Sequence, residues 1–356
     1  MTAVPHFSGA NEQASVWMHR GIDLLNTNLP ANLEEAVRCF DEAIALRRTL
    51  PLGENPRYRY GLAAGWMNRG DALARLGTKE QLAESIRSYD EALGLVQTLP
   101  LGEDPLYPRR LAIAWINRGF TRQKELSAEA DALYCFQKAL AVLESPPARA
   151  IADLALLQAG TQTNLAGALL NLSDSSAAEA RNAAHQALAL IQSAEQTDLS
   201  AAEAGFKARY VLCRAIATES RDGLTVTPEL LATATDAVDE GLALARHWEQ
   251  RGESGFREPA RALFRFGCRL YQTGRPHILA EFILESLDPD QTSGSLPLDG
   301  ETHEAAIVAL WTALKEIQRE GFQSLSTSRF EQLLENLRTL RVTEERLEQL
   351  RRNASA

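Results

Sequence analysis

Apolar side chains recur every three to four residues along most of the chain, in runs separated by short polar or proline-containing breaks. That spacing puts them on one face of an α-helix and predicts an all-α protein. In the stretch from residue 55 to 97 the first helix is expected from about Arg57 to Leu76, ending before Gly77, which suits the left-handed turn at a helix C-terminus. A second is expected from Thr78, whose Gln81 completes a capping box, to about Gln97; Asn32 with Glu35 gives the preceding stretch the same start signal. The LPLGE segments at 50–54 and 99–103, followed by Asn55-Pro56 and Asp104-Pro105, break the chain and cap the helix that follows.

The pattern is repeated as well as helical. Trp17, Arg20 and Gly21 return as Trp66, Arg69 and Gly70 and again as Trp115, Arg118 and Gly119, each time after 49 residues. Phe40 to Ile44 returns as Tyr89 to Leu93, and the two LPLGE segments keep the same interval. Each copy reads as helix, short turn, helix and proline loop. Beyond Pro147 the copies decay. Asn164 to Ala168 takes the first-helix place of a fourth, with Ala180, Ala184 and Ala187 in its second helix. A fifth is expected near Ala202 to Thr218 and from Thr227-Pro228 through Ala234, Val238 and Gly241; a sixth over 261–272 and 278–287. The expected organisation is a disordered tail at 1–13, three regular copies over 14–147, degenerate copies over 148–287, a loop at 288–301 and capping helices over 302–356.

Charge narrows the partners. With 37 Lys+Arg against 47 Asp+Glu the net charge is -10, which disfavours nucleic acid and anionic membrane surfaces. Residues 1–147 hold 16 basic and 18 acidic side chains and the remainder 21 and 29, so the acidity belongs mostly to the second half. No apolar run is long enough to span a bilayer and no signal peptide is evident, so a cytoplasmic location is expected. Cys39, Cys135, Cys213 and Cys268 are far apart and read as small core residues. Phosphate-binding, dinucleotide, zincin and nucleophile-elbow motifs are missing, so no catalytic residue, cofactor or metal is expected.

These residues resemble the tetratricopeptide repeat family, whose pattern has Trp early in the first helix, Gly four residues on, and Ala-x3-aromatic-x2-Ala in the second. The second-helix sets here are Ala36, Phe40 and Ala43; Ser85, Tyr89 and Ala92; and Ala132, Phe136 and Ala139. The likeness covers residues 14 to 145 and departs in length, 49 residues against about 34, and in the arginine before each glycine. It implies a right-handed α-solenoid of helix hairpins with a helical C-terminal cap, acting as a non-catalytic adaptor or scaffold for a protein or extended peptide. The family's register would line the concave face with His19, Asn68, Asp71, Arg75, Asn117, Phe120, Gln123 and Lys124, beside Met18, Met67 and Ile116, which stand where a carboxylate-clamping lysine would be expected. A complete clamp of that kind is not expected.

Two readings stay open for several of these residues. The asparagines could pair with a peptide main chain or bond within the array. Arg20, Arg69 and Arg118, with Asp41 and Asp90 recurring on the second helices, could pack the copies together or form an anion-binding row. Trp17, Trp66 and Trp115 read as core, with Gly21, Gly70 and Gly119 permitting close helix approach. The basic pairs at 47–48, 57/59 and 109–110 flank the proline loops, as a solvated edge or as a dock for an acidic partner. Rival functions are an effector-sensing regulator acting through a partner, and a subunit that self-assembles through the stripe Phe330, Leu333, Leu337 and Leu340.

Overall fold

The computed structural model describes residues 5–124, 128–149, 154–221 and 227–272. The expected helix over 278–287, the loop at 288–301, the capping helices and their apolar stripe lie outside the described residues. All regular structure among the described residues is helical. The chain divides into two compact parts, residues 1–172 and 173–356.

The first part holds α1 (Pro5–Thr27), α2 (Pro30–Arg48), α3 (Pro56–Leu76), α4 (Lys79–Val96), α5 (Leu106–Gln123), α6 (Glu129–Leu143), the one-turn α7 (Pro146–Arg149) and α8 (Ala155–Leu172). Consecutive helices pack as the pairs α1–α2, α3–α4 and α5–α6, and each pair packs on the next through α2–α3 and α4–α5. Helix α8 packs on α6 and belongs to the first part, which ends at Leu172.

Local chemistry explains the ends of these helices. Asn55 accepts from the Arg57 amide and Pro56 stands at the first helical position of α3, while Gly77, at φ 77°, ends it in the left-handed conformation. Thr78 and Gln81 form the capping box of α4 in both directions. Two expectations differ. Helix α1 begins at Pro5, inside the stretch expected to be a tail. Helix α2 begins at Pro30, not at Asn32: the Asn32 amide donates to Thr27 Oγ1 at 2.9 Å and Glu35 pairs with Arg20 and Arg38, so neither serves as a cap. Proline, with its preset φ, starts the helix instead.

The repeated glycine sets how closely each pair approaches. A Cβ on Gly21 would lie 2.5 Å from the Phe40 ring, on Gly70 2.8 Å from Tyr89, and on Gly119 2.8 Å from Phe136. Those three rings are almost wholly buried, each side chain of that size contributing about 2–3 kcal/mol of burial. Leu50 and Leu99 anchor the proline loops in the core, the latter beside Val96, Tyr107 and Leu111.

The second part has a 3-10 turn at Asp174–Ser176, then α9 (Ala177–Ile191), α10 (Leu199–Arg221), α11 (Pro228–Glu249) and α12 (Arg257–Gln272). Thr227 caps α11 by accepting from the Leu230 amide, with Pro228 at its start. Ala180, Ala184 and Ala187 are fully buried on α9, whose small side chains replace the aromatic of the earlier copies. Phe206 and Phe256 stack with centroids 5.0 Å apart, and Trp248 Nε1 donates to the Glu195 carbonyl at 2.9 Å.

Candidate binding face

The recurring arginines stitch one copy to the next. Arg69 Nε meets Asp41 Oδ1 at 2.7 Å and Arg118 Nε meets Asp90 Oδ1 at 2.7 Å, the same contact one repeat later. Each arginine also reaches the second helix of its own copy, Arg69 donating to Ser88 Oγ at 2.8 Å and Arg118 contacting Cys135 Sγ at 3.0 Å. Arg20 pairs with Glu35 on the second helix of its own copy. The same guanidinium groups lie 5.5, 5.7 and 5.9 Å from the centroids of Trp17, Trp66 and Trp115, which are half-buried against the core. These cations are therefore committed to carboxylates and rings.

A second set of bonds repeats with the same interval. Arg75 Nη1 donates to the Leu25 carbonyl at 3.0 Å, and Lys124 Nζ to the Ala74 carbonyl at 2.7 Å. Leu25 and Ala74 lie in the last turns of α1 and α3, where carbonyls lack helical partners and the helix dipole favours a cation. The first helices are thus tied end to end: α1 touches α3, and α3 touches α5.

Asn117 and Asp71, which the sequence placed on the lining, find each other. Asp71 accepts from Asn117 Nδ2 at 2.9 Å and from the Tyr89 hydroxyl at 2.5 Å. Burial raises the Asp71 carboxyl above its ordinary range despite these donors and the charges of Arg75 and Arg110. Burial and the Asp71 charge push the Tyr89 phenol up. In the first copy the corresponding pair is Ile22 and Phe40, and in the third it is Phe120 and Phe136, whose rings meet edge-on at 5.6 Å. Two facing positions thus switch from apolar to polar together in the second copy. That joint change is the sequence signal for this cluster.

Asn68 is the exception. Its register partner is Ile22, which offers no acceptor, and its amide makes no hydrogen bond among the described residues. It is half-buried, as is Gln123, while Phe120 is 41% exposed. His19 is exposed and bonds only the Ser15 carbonyl, at 2.7 Å. Met18, Met67 and Ile116 are buried in the core, which removes them from the lining because their side chains fill the space between paired helices. The open side chains nearest this row are Asn68, Phe120 and Gln123.

In the second part sequence reasoning missed a buried ion pair. Arg209 donates from Nη1 and Nη2 to both oxygens of Glu195, at 2.5 and 3.0 Å, and from Nη2 to Glu240 at 3.0 Å. Burial disfavours the Arg209 charge, but the hydrogen bonds and charges of Glu195 and Glu240 more than offset it and raise its pKa. Gly205 makes room for the pair, since a Cβ there would overlap the Glu195 carboxylate. A cavity of about 320 Å³ opens beside it, lined by apolar Leu188 and Leu212 and by His185, Asp236 and Glu240.

Among the described residues the thiols of Cys39, Cys135 and Cys213 are buried, with pKa values raised chiefly by burial, that of Cys213 to about 12, which makes them poor nucleophiles. Among the described residues no group of three His, Cys, Asp or Glu side chains is placed to hold a metal ion, and no helix is long and apolar enough to cross a membrane. No protein-family model matches the chain, and no curated protein matches it either.

Proposed function

We propose that the chain is a non-catalytic, protein- or peptide-binding adaptor of the cytoplasm, built as a tetratricopeptide-like α-solenoid whose first helices line the binding face. The observation that carries this reading is the exact-interval stitching. Contacts Arg69–Asp41 and Arg118–Asp90, and again Arg75–Leu25 and Lys124–Ala74, repeat one copy apart. Copies joined by the same contacts stack in one register, and equal rotations between neighbours build a superhelix with a continuous inner row. Asn68, an amide with a free donor and acceptor, and the exposed Phe120 ring are the side chains on that row left to meet a partner.

The test is affinity capture from the host of this protein with the full chain and with an Asn68→Ala/Phe120→Ala variant. The variant is expected to lose the captured partner while its thermal unfolding midpoint stays within a few degrees of the parent. Capture that survives both substitutions counts against this face.

A further inference from the structure

Position 47 breaks the rule of its own repeat. One copy later the register holds Val96, and in the third it holds Leu143; both are buried core side chains. Arg47 is itself only 8% exposed. Its Nη1 donates to the Gly61 carbonyl at 2.5 Å, its Nε is buried without a partner, and its Nη2 makes no hydrogen bond among the described residues. The Gly61 carbonyl lies inside α3, where it already has a helical partner, so it does not require the arginine. The guanidinium lies directly against this turn: a Cβ on Gly61 would sit in van der Waals contact with it, 3.4 Å from its carbon.

A second cation is set against the same turn. Arg110 donates from Nη2 to the Tyr60 hydroxyl at 2.7 Å and stacks 4.6 Å over that ring, and its other nitrogens make no hydrogen bond among the described residues. Burial, and then the nearby Arg110, lowers the pKa of Arg47. Neither arginine forms an ion pair among the described residues, in contrast to Arg69 and Arg118. A buried cation beside a second cation is unfavourable unless an anion joins them.

Heptad spacing puts this spot on the proposed binding row. Gly61, Asn68 and Arg75 lie at intervals of seven residues on α3, as Arg110, Asn117 and Lys124 do on α5, so each set follows one helix face. With Arg47 filling the Gly61 place, both helices present cation, asparagine, cation.

We infer that Arg47 and Arg110, braced by Tyr60 and Gly61, form a carboxylate-binding site that docks an acidic peptide segment on this row. It rests on the binding-face reading above and differs from a clamp by lysines of the first helices, since its buried cation comes from the end of a second helix. Guanidinium groups pair with carboxylates through parallel hydrogen bonds, and both arginines have free nitrogens for them.

Fluorescence anisotropy with labelled, N-acetylated hexaglutamate and hexaglutamine at low salt tests it. Hexaglutamate is expected to bind the full chain at least ~10-fold more tightly, and both Arg47→Met and Arg110→Gln to lose about that factor, as expected for charge-assisted pairs. Arg87→Gln, which removes an exposed cation on α4 already paired with Glu84, is expected to change nothing. Equal affinity for both peptides overturns the site, and so does an equal loss from Arg87→Gln, which would mean diffuse attraction. Arg47→Met also reports without ligand: its unfolding midpoint is expected to match or exceed the parent's, and a drop of several degrees would assign Arg47 to packing. A native partner still captured by Arg47→Met and Arg110→Gln but lost by the Asn68→Ala/Phe120→Ala variant sinks the carboxylate site alone. Hexaglutamate binding that needs both arginines, with capture indifferent to that variant, sinks the face built on Asn68 alone.

Discussion

The two described regions solve the same packing problem with opposite uses of charge. In residues 14–147 the ion pairs between copies are half-exposed and recur: Arg69 is 17% and its partner Asp41 50% exposed, and Arg118 with Asp90 is nearly the same. In residues 173–272 the principal contact is single and deep, with Arg209 4% and Glu195 5% exposed. A pair on the rim is screened by water and contributes little alone, so register is held by repetition. A buried pair has no such redundancy. The strain of losing it falls on one site, and the partner left behind remains an uncompensated charge.

The sharpest way to break the comparison is therefore Glu195→Gln, which leaves Arg209 with Glu240 alone. It is expected to cost about 3–5 kcal/mol in urea unfolding, and a loss under ~1 kcal/mol would put this pair in the same class as the rim pairs. Gly70→Ala comes next, driving a methyl into the Tyr89 ring at 2.8 Å, at an expected cost of about 1–3 kcal/mol. Gly94→Ala on α4, where nothing lies within 4 Å, should instead stabilise by roughly 0.5–1 kcal/mol through helix propensity. Similar effects at the two glycines would undo the close-approach account.

Tyr89→Phe is expected to cost about 1.5 kcal/mol by removing a donor from a buried carboxylate. Combined with Asp71→Ile it recreates the first copy's pairing and should recover most of that loss, because both partners are then apolar. The same cluster sets a pH dependence. The folded-state pKa of Asp71 is raised above 3.8, so its contribution is fully present below that value and is lost as pH rises through the folded value. Stability measured against an Asp71→Asn reference is expected to fall with pH over that window, and a rise would reverse the sign of the shift. The smallest effect is Asp41→Asn, expected to cost under about 1 kcal/mol and to fade with added salt.

Much of the architecture was legible because it is local and repeated. The Thr78–Gln81 box, the Gly77 terminus and the Thr227-Pro228 start depend on residues within one helical turn, and each forms where expected. Asn32 misled because the Thr27 hydroxyl claims its amide and proline at position 30 supplies an earlier start. The candidate lining was legible only as a set of positions. Asp71, Arg75, Asn117 and Lys124 occupy that row, yet each is bound within the array, to Tyr89 and Asn117, to Leu25, to Asp71 and to Ala74.

The amino-acid sequence by itself determined the hairpin unit, its loops and the glycine that faces an aromatic ring, because backbone preference, capping and hydrophobic periodicity act over a few residues and recur. Which polar group meets which was decided only in three dimensions. Arg69 finds Asp41 28 residues away, and Arg75 finds Leu25 across 50, through the register between helices. The same register left Asn68 without a bond and Arg47 without a carboxylate. Hydrogen bonds and ion pairs require ångström-scale placement of both members, and that placement exists only after the helices have packed.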